Sequence, residues 1–526
     1  MMITQIPGVY QIAPLLYFPA VVAASLCCHT DTGLANTDVT MLLRLIALCG
    51  LFITSIVHSG TTLFVATDGD DINGDGSSGN PWATITHAVD NASDSATIIV
   101  RPGTYNGRAR LRQEFDSQVT IRSEIPYAAK LRYDQGAVVI SFTGRNITME
   151  GFDIAHAPGN TGGLVIQVQD LLGKFNGSNN GTDPVVSGIV FRNNIIHDST
   201  NNDLLKINNG AEDVLVEGNM FFNQFGSDEH MDVNSVIGVT IQDNVFFNTV
   251  DNDTSSFIVV KDSGTGDTVV GSREVTIRRN VFLNWFGSSG QSFVRFGEDG
   301  TLNFEAQDLL VENNLMIGNG TDLMRTPLTV QGSKNLVFRN NTLTGDMPSR
   351  SFAGRLIAVG DNPPSENLEF FNNIYSDPNG TMGSEAFNGV DLFDSPAGQT
   401  ANATLDNNLY WNGGNAIPED AGQFLRFSDD ANAMTGDPEL GAQGGLVVPS
   451  WDGSNFADGS SSIHQAFVRL VNLYGQPDST SPAIDNAEPA NAASEDILGR
   501  QRGPDPDLGA FELDPLDTTF LADGFE

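Results

Sequence analysis

Two lysines, an arginine and several carboxylates of this chain fall at matching places in short apolar stretches. The stretches are 204–208, 230–234, 257–261 and 293–297, followed by 327–331 and 356–360. Alternate positions are apolar: Leu205 and Ile207, Met231 and Val233, Ile258 and Val260, Val294 and Phe296. In a strand this alternation sends one set of side chains inward and the other outward. The outward set holds Lys206, Asn208, His230, Asp232, Asn234, Lys261 and Arg295, with Glu298 and Asp299 just beyond. The last two stretches offer only Thr329, Gln331, Ala358 and Gly360 in these slots. Stacked strands lie ~4.8 Å apart, so the four charged stretches would form a patch roughly 15 Å tall. A neutral amine can take a proton and a guanidinium can steady an oxyanion, while clustered carboxylates suit a hard cation. The ordinary outcome for such residues is a solvated face with paired charges. The chain has few lysines, however, and two of them converging with an arginine favours a functional wall.

Such a wall requires stacked coils, and the sequence repeats one coil many times. An alternating apolar strand is followed by a polar pair ending in Asn and then by another apolar pair. The pattern recurs at Asn194, Asn219, Asn244, Asn280, Asn314, Asn341 and Asn373, with a last echo at Asn408. The steps between the first seven are 25, 25, 36, 34, 27 and 32 residues, the signature of a solenoid whose loops grow at one corner. Asn tolerates left-handed backbone, which suits the bend after each strand. Stacked Asn side chains can also bond one another from coil to coil. A single coil cannot bury its apolar face alone, so the coils share one continuous core. The predicted fold is all-β, a parallel β-helix. Right-handedness is the usual sense for parallel crossovers.

The chain has 526 residues, 26 basic against 65 acidic, a net charge of −39, and three cysteines, all before residue 60. A field of that sign repels nucleic acid and anionic membranes, so neither is expected as a partner. It also opposes acidic glycans, which would need a locally basic groove. Met41–Arg44, an apolar run through Val57 and the Val57-His58-Ser59 site read as a secretory signal at 41–59, too short to span a membrane. Residues 1–40 then read as upstream sequence. The expected order is a cap and first coil at 60–110, the β-helix at 111–415, a closing segment at 416–512, and a linker and short tag at 513–526. Residues 155–184 read as an excursion loop. Asp71, Asn73 and Asp75 alternate as in a calcium loop, but Trp82 stands where the closing Glu belongs, so a solvated turn is expected.

The wording Pro81-Trp-Ala-Thr-Ile-Thr-His-Ala-Val89, then Val100-Arg-Pro-Gly-Thr-Tyr105, resembles the N-terminal segment of secreted β-helix polysaccharide lyases. The stretch Phe257-Ile-Val-Val-Lys261-Asp-Ser263, the strand ending at Asn280, and Ser292-Phe-Val-Arg295-Phe-Gly297-Glu-Asp299 resemble the catalytic coils of the chondroitinase-B and alginate-lyase family. Ser481-Pro-Ala-Ile-Asp485, Asp496–Arg502 and Asp507–Glu512 are similar to closing segments of bacterial secreted β-helices. The resemblance implies β-elimination on a uronic acid, with Lys261 as base and Arg295 at the leaving oxygen. The outward patch itself offers Lys206, Asn208, His230, Asn234 and Glu298 as sugar contacts, His230 being the other candidate base. The resemblance also implies calcium, and no organic cofactor is expected. The family's calcium positions fall here on Thr254 and Ser256, so a displaced site would draw on Asp228, Glu229, Asp232 and Asp253. Lys261 would need a lowered pKa, with Lys206 and Arg295 pushing that way and Asp232 and Glu298 opposing. The expected partner is an acidic polysaccharide, met by a monomer outside a bacterial cell. Two alternatives stand beside this one. The first is a non-catalytic glycan-binding surface protein. The second is a glycoside hydrolase using Asp232 with Glu229 or Glu298, which needs two carboxylates ~5–10 Å apart.

Overall fold

The computed structural model describes residues 60–160, 162–170, 186–251, 253–262, 269–347, 349–382 and 391–516. The expected leader and signal, much of the 155–184 excursion, Ser263 and the tag at 520–526 lie outside them. The described chain winds as a right-handed parallel β-helix with three all-parallel sheets of 12, 10 and 12 strands. Each regular coil gives one strand to each sheet. In one coil these are Glu212–Glu217, Met220–Gln224 and Met231–Asn234, in chain order. Among the described residues, no helix is long and apolar enough to cross a membrane.

The ladder asparagines fix how the coils stack. Asn194 Nδ2 donates to Asn219 Oδ1 at 3.1 Å, and the relation repeats through Asn244, Asn280, Asn314, Asn341 and Asn373 to Asn408. The same oxygens accept backbone N–H groups, as Asn280 Oδ1 does from Asn244 N at 3.1 Å. The remaining amide protons go to strand carbonyls such as Ile241 O. Phe152 takes the slot before the first Asn and donates its backbone N–H to Asn194 Oδ1. Asp430 ends the far side by accepting from Asn408 Nδ2 at 2.8 Å.

The left-handed residue at each bend is the one before the ladder Asn, contrary to the sequence expectation. Asn193, Gly218, Asp243, Arg279, Asn313, Asn340, Asn372 and Asn407 all have φ between 49° and 65°. The preceding residue turns the chain, which frees the ladder side chain to point inward and bond.

The pair after nearly every ladder Asn is apolar, and Thr342-Leu343 is buried as well, because both faces of the third sheet are covered. Phe221, Phe246 and Phe282 stack inside the helix, with ring centroids 4.9 and 5.1 Å apart. Met220, Phe222, Val245 and Phe247 face outward against a second apolar cluster built from the C-terminal segment. That segment does more than close the end. The last coil is closed at Met434–Thr435, which pairs with Leu409–Asn412. The chain then returns along the flank of the third sheet. Helix Ile463–Leu470 presses Ile463, Ala466, Phe467 and Leu470 onto it, with Ser462 as its N-cap. The return reaches Asp153, whose carboxylate accepts from Trp451 Nε1 at 3.1 Å. At the other end, helix Ile85–Asn91 buries Ile85, Ala88 and Val89 over the first coil. Asp71 accepts from the backbone N–H groups of Ala83 and Thr84 just before that helix, so the loop is a hydrogen-bonded turn.

Removing a ladder amide leaves several buried backbone groups unpaired. Asn280→Ala is therefore expected to lower the unfolding free energy by about 3 kcal/mol. Asn402→Ala, on an exposed amide row and in ordinary backbone, should cost under about 1 kcal/mol. Denaturant unfolding of the two variants checks this, and equal losses would contradict the ladder's role.

Candidate active site

The wall is the outer face of the 10-stranded sheet. Backbone register aligns Gln167, Lys206, Asp232, Val259, Arg295, Thr329, Arg355 and Asp394 in one row across it. A second row runs Gln169, Asn208, Asn234, Lys261. Lys261 and Arg295 thus sit on the same wall in adjacent coils. Glu298 joins them: Lys261 Nζ is 2.6 Å from Glu298 Oε2, and Arg295 Nη1 is 3.0 Å from Oε1. Asp299 stands 3.7 Å from the same lysine. Arg295 is held further by Gln291 Oε1 at 3.1 Å and Gln331 Oε1 at 3.2 Å.

The loop that carries Glu298 is anchored by Glu305, a fully buried residue absent from the sequence reading. Its carboxylate accepts the backbone N–H groups of Glu298, Asp299 and Gly300 at 2.7–2.9 Å. Asn362 Nδ2 adds a bond at 2.8 Å. Three backbone donors converging on one carboxylate hold this loop, and with it Glu298, against the wall.

In the next two coils toward the N-terminus lies a group of three buried carboxylates, Asp203, Glu229 and Asp232, each with one oxygen within 4.8 Å of one from each of the others. Lys206 contacts Asp232 directly and stands 3.6 Å from Asp203. Asn234 Nδ2 donates to both Asp232 oxygens at 3.2 and 3.3 Å. Burial, reinforced by Asp232, pushes the Asp203 carboxyl up to about 7. Burial and Asp203 raise Glu229 well above the carboxylate range. Three oxygen donors held this close, two of them reluctant to ionise together, form a set that a divalent cation would relieve.

The expected metal residues divide accordingly. Asp232 and Glu229 belong to the set. Asp228 is half-buried beside it, and burial raises its carboxyl against the opposing charge of Lys206. Asp253 does not belong: it is exposed on a corner loop, where its backbone carbonyl accepts from Ser288 Oγ. Asp203 was missed, although the sequence carried a signal. It precedes Leu204 as Glu229 precedes His230, and the register stacks Leu205 on Met231.

His230 is a correction as well. Its parity places it outward, but the strand begins at Met231, and His230 turns into the core before it. It is fully buried and stacked on Phe257 with centroids 4.4 Å apart. Its Nε2 meets Asn248 Oδ1 at 3.0 Å, and burial drives its pKa down to about 3. It is a neutral core residue and touches no sugar. Asn208 and Asn234 lie in the outward row yet are largely covered.

The expected lowering of the Lys261 pKa is also reversed. Burial does push it down, but Asp232, Glu298 and Asp299 together outweigh that and raise it. Lys206 is raised in the same way by Asp232 and Asp203, against burial.

One register differs from the sequence alignment. The Thr329 partner is Arg355, three residues before the expected Ala358, on the strand Ser351–Ile357. This register buries Leu356 opposite Val330 and leaves Val359 exposed. The coil read as bland therefore carries an arginine.

No family model matches the sequence, and no curated protein matches it. Solved structures do match. The pectate lyase Pel9A superposes with a TM-score of 0.52 at 14% identity, over 86% of this chain and 96% of that one. XylC, solved with xylose, gives 0.46 at 12% over 86% and 99%. The alginate lyase AlyGC of family PL6 gives 0.37 at 14% over 80% and 57%. At these identities the first likeness establishes the shared β-helix fold.

Cation binding at the triad should compete with protons. Asp203 ionises only above about 7, so a calcium-induced rise in melting temperature is expected at pH 8 and should fade as pH falls through 7. Thermal melts with calcium against chelator, across that range, check it. A calcium effect independent of pH, or unchanged in Asp203→Asn, would contradict the assignment.

Proposed function

We propose that the chain is an exported lyase that cleaves a uronic-acid-containing polysaccharide by β-elimination. The observation that carries the reading is the Lys261–Glu298–Arg295 bridge, one coil from a buried carboxylate triad on the same wall. Export would use the signal at 41–59.

In this reading Lys261, as the neutral amine, takes the proton from C5 of the uronate ring. The C–H electrons become the C4–C5 double bond as the C4–O4 bond breaks. The electron pair passes to the leaving oxygen, which Arg295 steadies and water protonates. The C5 proton is weakly acidic unless the adjacent carboxylate is neutralised. Arg295, once Glu298 is displaced, would give that carboxylate a cationic partner, and a calcium ion held by Asp203, Glu229 and Asp232 would add to the neutralisation when bound. Glu298 occupies both cations with a carboxylate, as an acidic sugar would, and substrate is read as taking its place.

Purified 60–526 is expected to give products absorbing in the near ultraviolet from alginate, pectate or a related uronan. Lys261→Ala should lower that rate by more than about 100-fold. Unchanged turnover in Lys261→Ala would rule out the assignment, and saturable glycan binding without turnover would favour the binding-protein alternative. The pH dependence is signed. Nearby carboxylates hold Lys261 protonated, so the rate should climb toward alkaline pH. Glu298→Gln removes one of them, and the rising limb should move to lower pH. A profile that stays put would show that Glu298 does not govern the lysine.

A further inference from the structure

Beyond Arg295 the wall carries two more arginines, Arg355 in the same row and Arg325 just before the strand Leu328–Gln331, and among the described residues their charge is not matched. Arg325 Nη2 and Arg355 Nε both bond one oxygen of Asp394, at 2.6 and 3.0 Å. Two guanidiniums share a single carboxylate. Elsewhere on the wall carboxylates match or outnumber the cations: Lys206 has Asp203 and Asp232, and Lys261 and Arg295 together have Glu298 and Asp299. Arg325 Nε is buried without a partner. The side chains keep partial access to solvent, 16% for Arg325 and 27% for Arg355. Burial, then the neighbouring Arg325, depresses the Arg355 pKa despite Asp394, and Arg295 adds to the effect.

A chain with 65 acidic residues against 26 basic ones could match each arginine with its own carboxylate. Leaving a surplus positive charge half-buried costs stability unless an anion from outside completes it. Only Thr329, small and tied to Ser292 Oγ at 2.7 Å, separates Arg295 from Arg355 in the row. The two arginine backbones stand roughly 10 Å apart, two strand spacings. That distance links neighbouring sugars of one chain more readily than two groups on one sugar.

We propose that Arg325 and Arg355 form a second anion subsite, which takes the carboxylate of a neighbouring sugar in the acidic polysaccharide held at Lys261 and Arg295. The wall then has a direction. Its carboxylate triad lies toward the N-terminal coils, the Lys261–Arg295 pair in the middle, and the arginine subsite toward the C-terminal coils. The source of the anion rests on the lyase reading. The subsite itself can be tested without turnover.

The test is calorimetric titration with oligogalacturonate and oligoalginate, with neutral xylo-oligosaccharide as control, in a Lys261→Ala background that keeps the arginines. Adding Arg355→Gln should weaken acidic-glycan binding about tenfold, the scale of one lost charge-assisted hydrogen bond. Arg355→Lys should retain most of the affinity, and the neutral control should bind neither protein. A melting temperature recorded alongside separates lost binding from lost folding. Equal affinity in the Arg355→Gln pair, or a loss of stability with no loss of affinity, overturns the subsite. The two readings fail differently. Wild-type protein that binds these glycans, loses affinity on Arg355→Gln, and cleaves none would sink the lyase and keep the subsite. Wild-type protein that cleaves them with a KM unmoved by Arg355→Gln would do the opposite.

Discussion

Every buried side-chain amide on the ladder has to find its partners in the coil above or below. Asn280 shows the full set: it accepts from Asn244, donates to Asn314, and closes the carbonyls of Ile241 and Arg278. A coil that slipped by one residue would break this set and turn each strand's inward residues outward. The ladder therefore sets the register of all three sheets, although the candidate site lies on a different sheet from the ladder strands. The rows that align Lys206 with Asp232 and Arg295 with Arg355 follow from that register.

The wall also resolves a tension of charge. A molecule with a net charge of −39 should repel acidic glycans. Its cations on this face are not free, since each leans on a carboxylate in a charge-assisted, partly buried pair. Glu298 is central to that arrangement, because one side chain restrains both Lys261 and Arg295 while Glu305 fixes the loop beneath it. The restraint keeps the lysine charged at rest. An incoming acidic sugar meets cations already oriented, and it exchanges one carboxylate for another instead of paying to bury a new charge.

Much of this was legible in the sequence because a solenoid translates spacing directly into position. The repeating Asn and the apolar alternation foretold the β-helix, and the parity of Lys261 and Arg295 foretold their common wall. Parity failed at His230, just outside its strand, where the corner turns the side chain into an aromatic stack. Alignment failed at Arg355, because 351–357 and 356–360 both offer an apolar pattern and only packing against Val330 and Phe393 chooses between them. The return of 416–512 along the third sheet was not readable from that segment alone. Its trace lay in the doubly apolar runs after nearly every ladder Asn, which only a covered outer face explains. The sign of the Lys261 shift depended on distances to three carboxylates, and no spacing supplies those.

The central claim is that Glu298 stands where the carboxylate of an acidic sugar sits between Lys261 and Arg295. A crystal structure of the Arg295-containing protein with Lys261→Ala, grown with an acidic oligosaccharide, tests it most directly. The expected result is a uronate carboxylate within hydrogen-bond distance of Arg295, with Glu298 displaced from that guanidinium and the sugar chain running along the helix axis. Sugar bound on another sheet, or bound with the Glu298–Arg295 pair intact, would contradict the account.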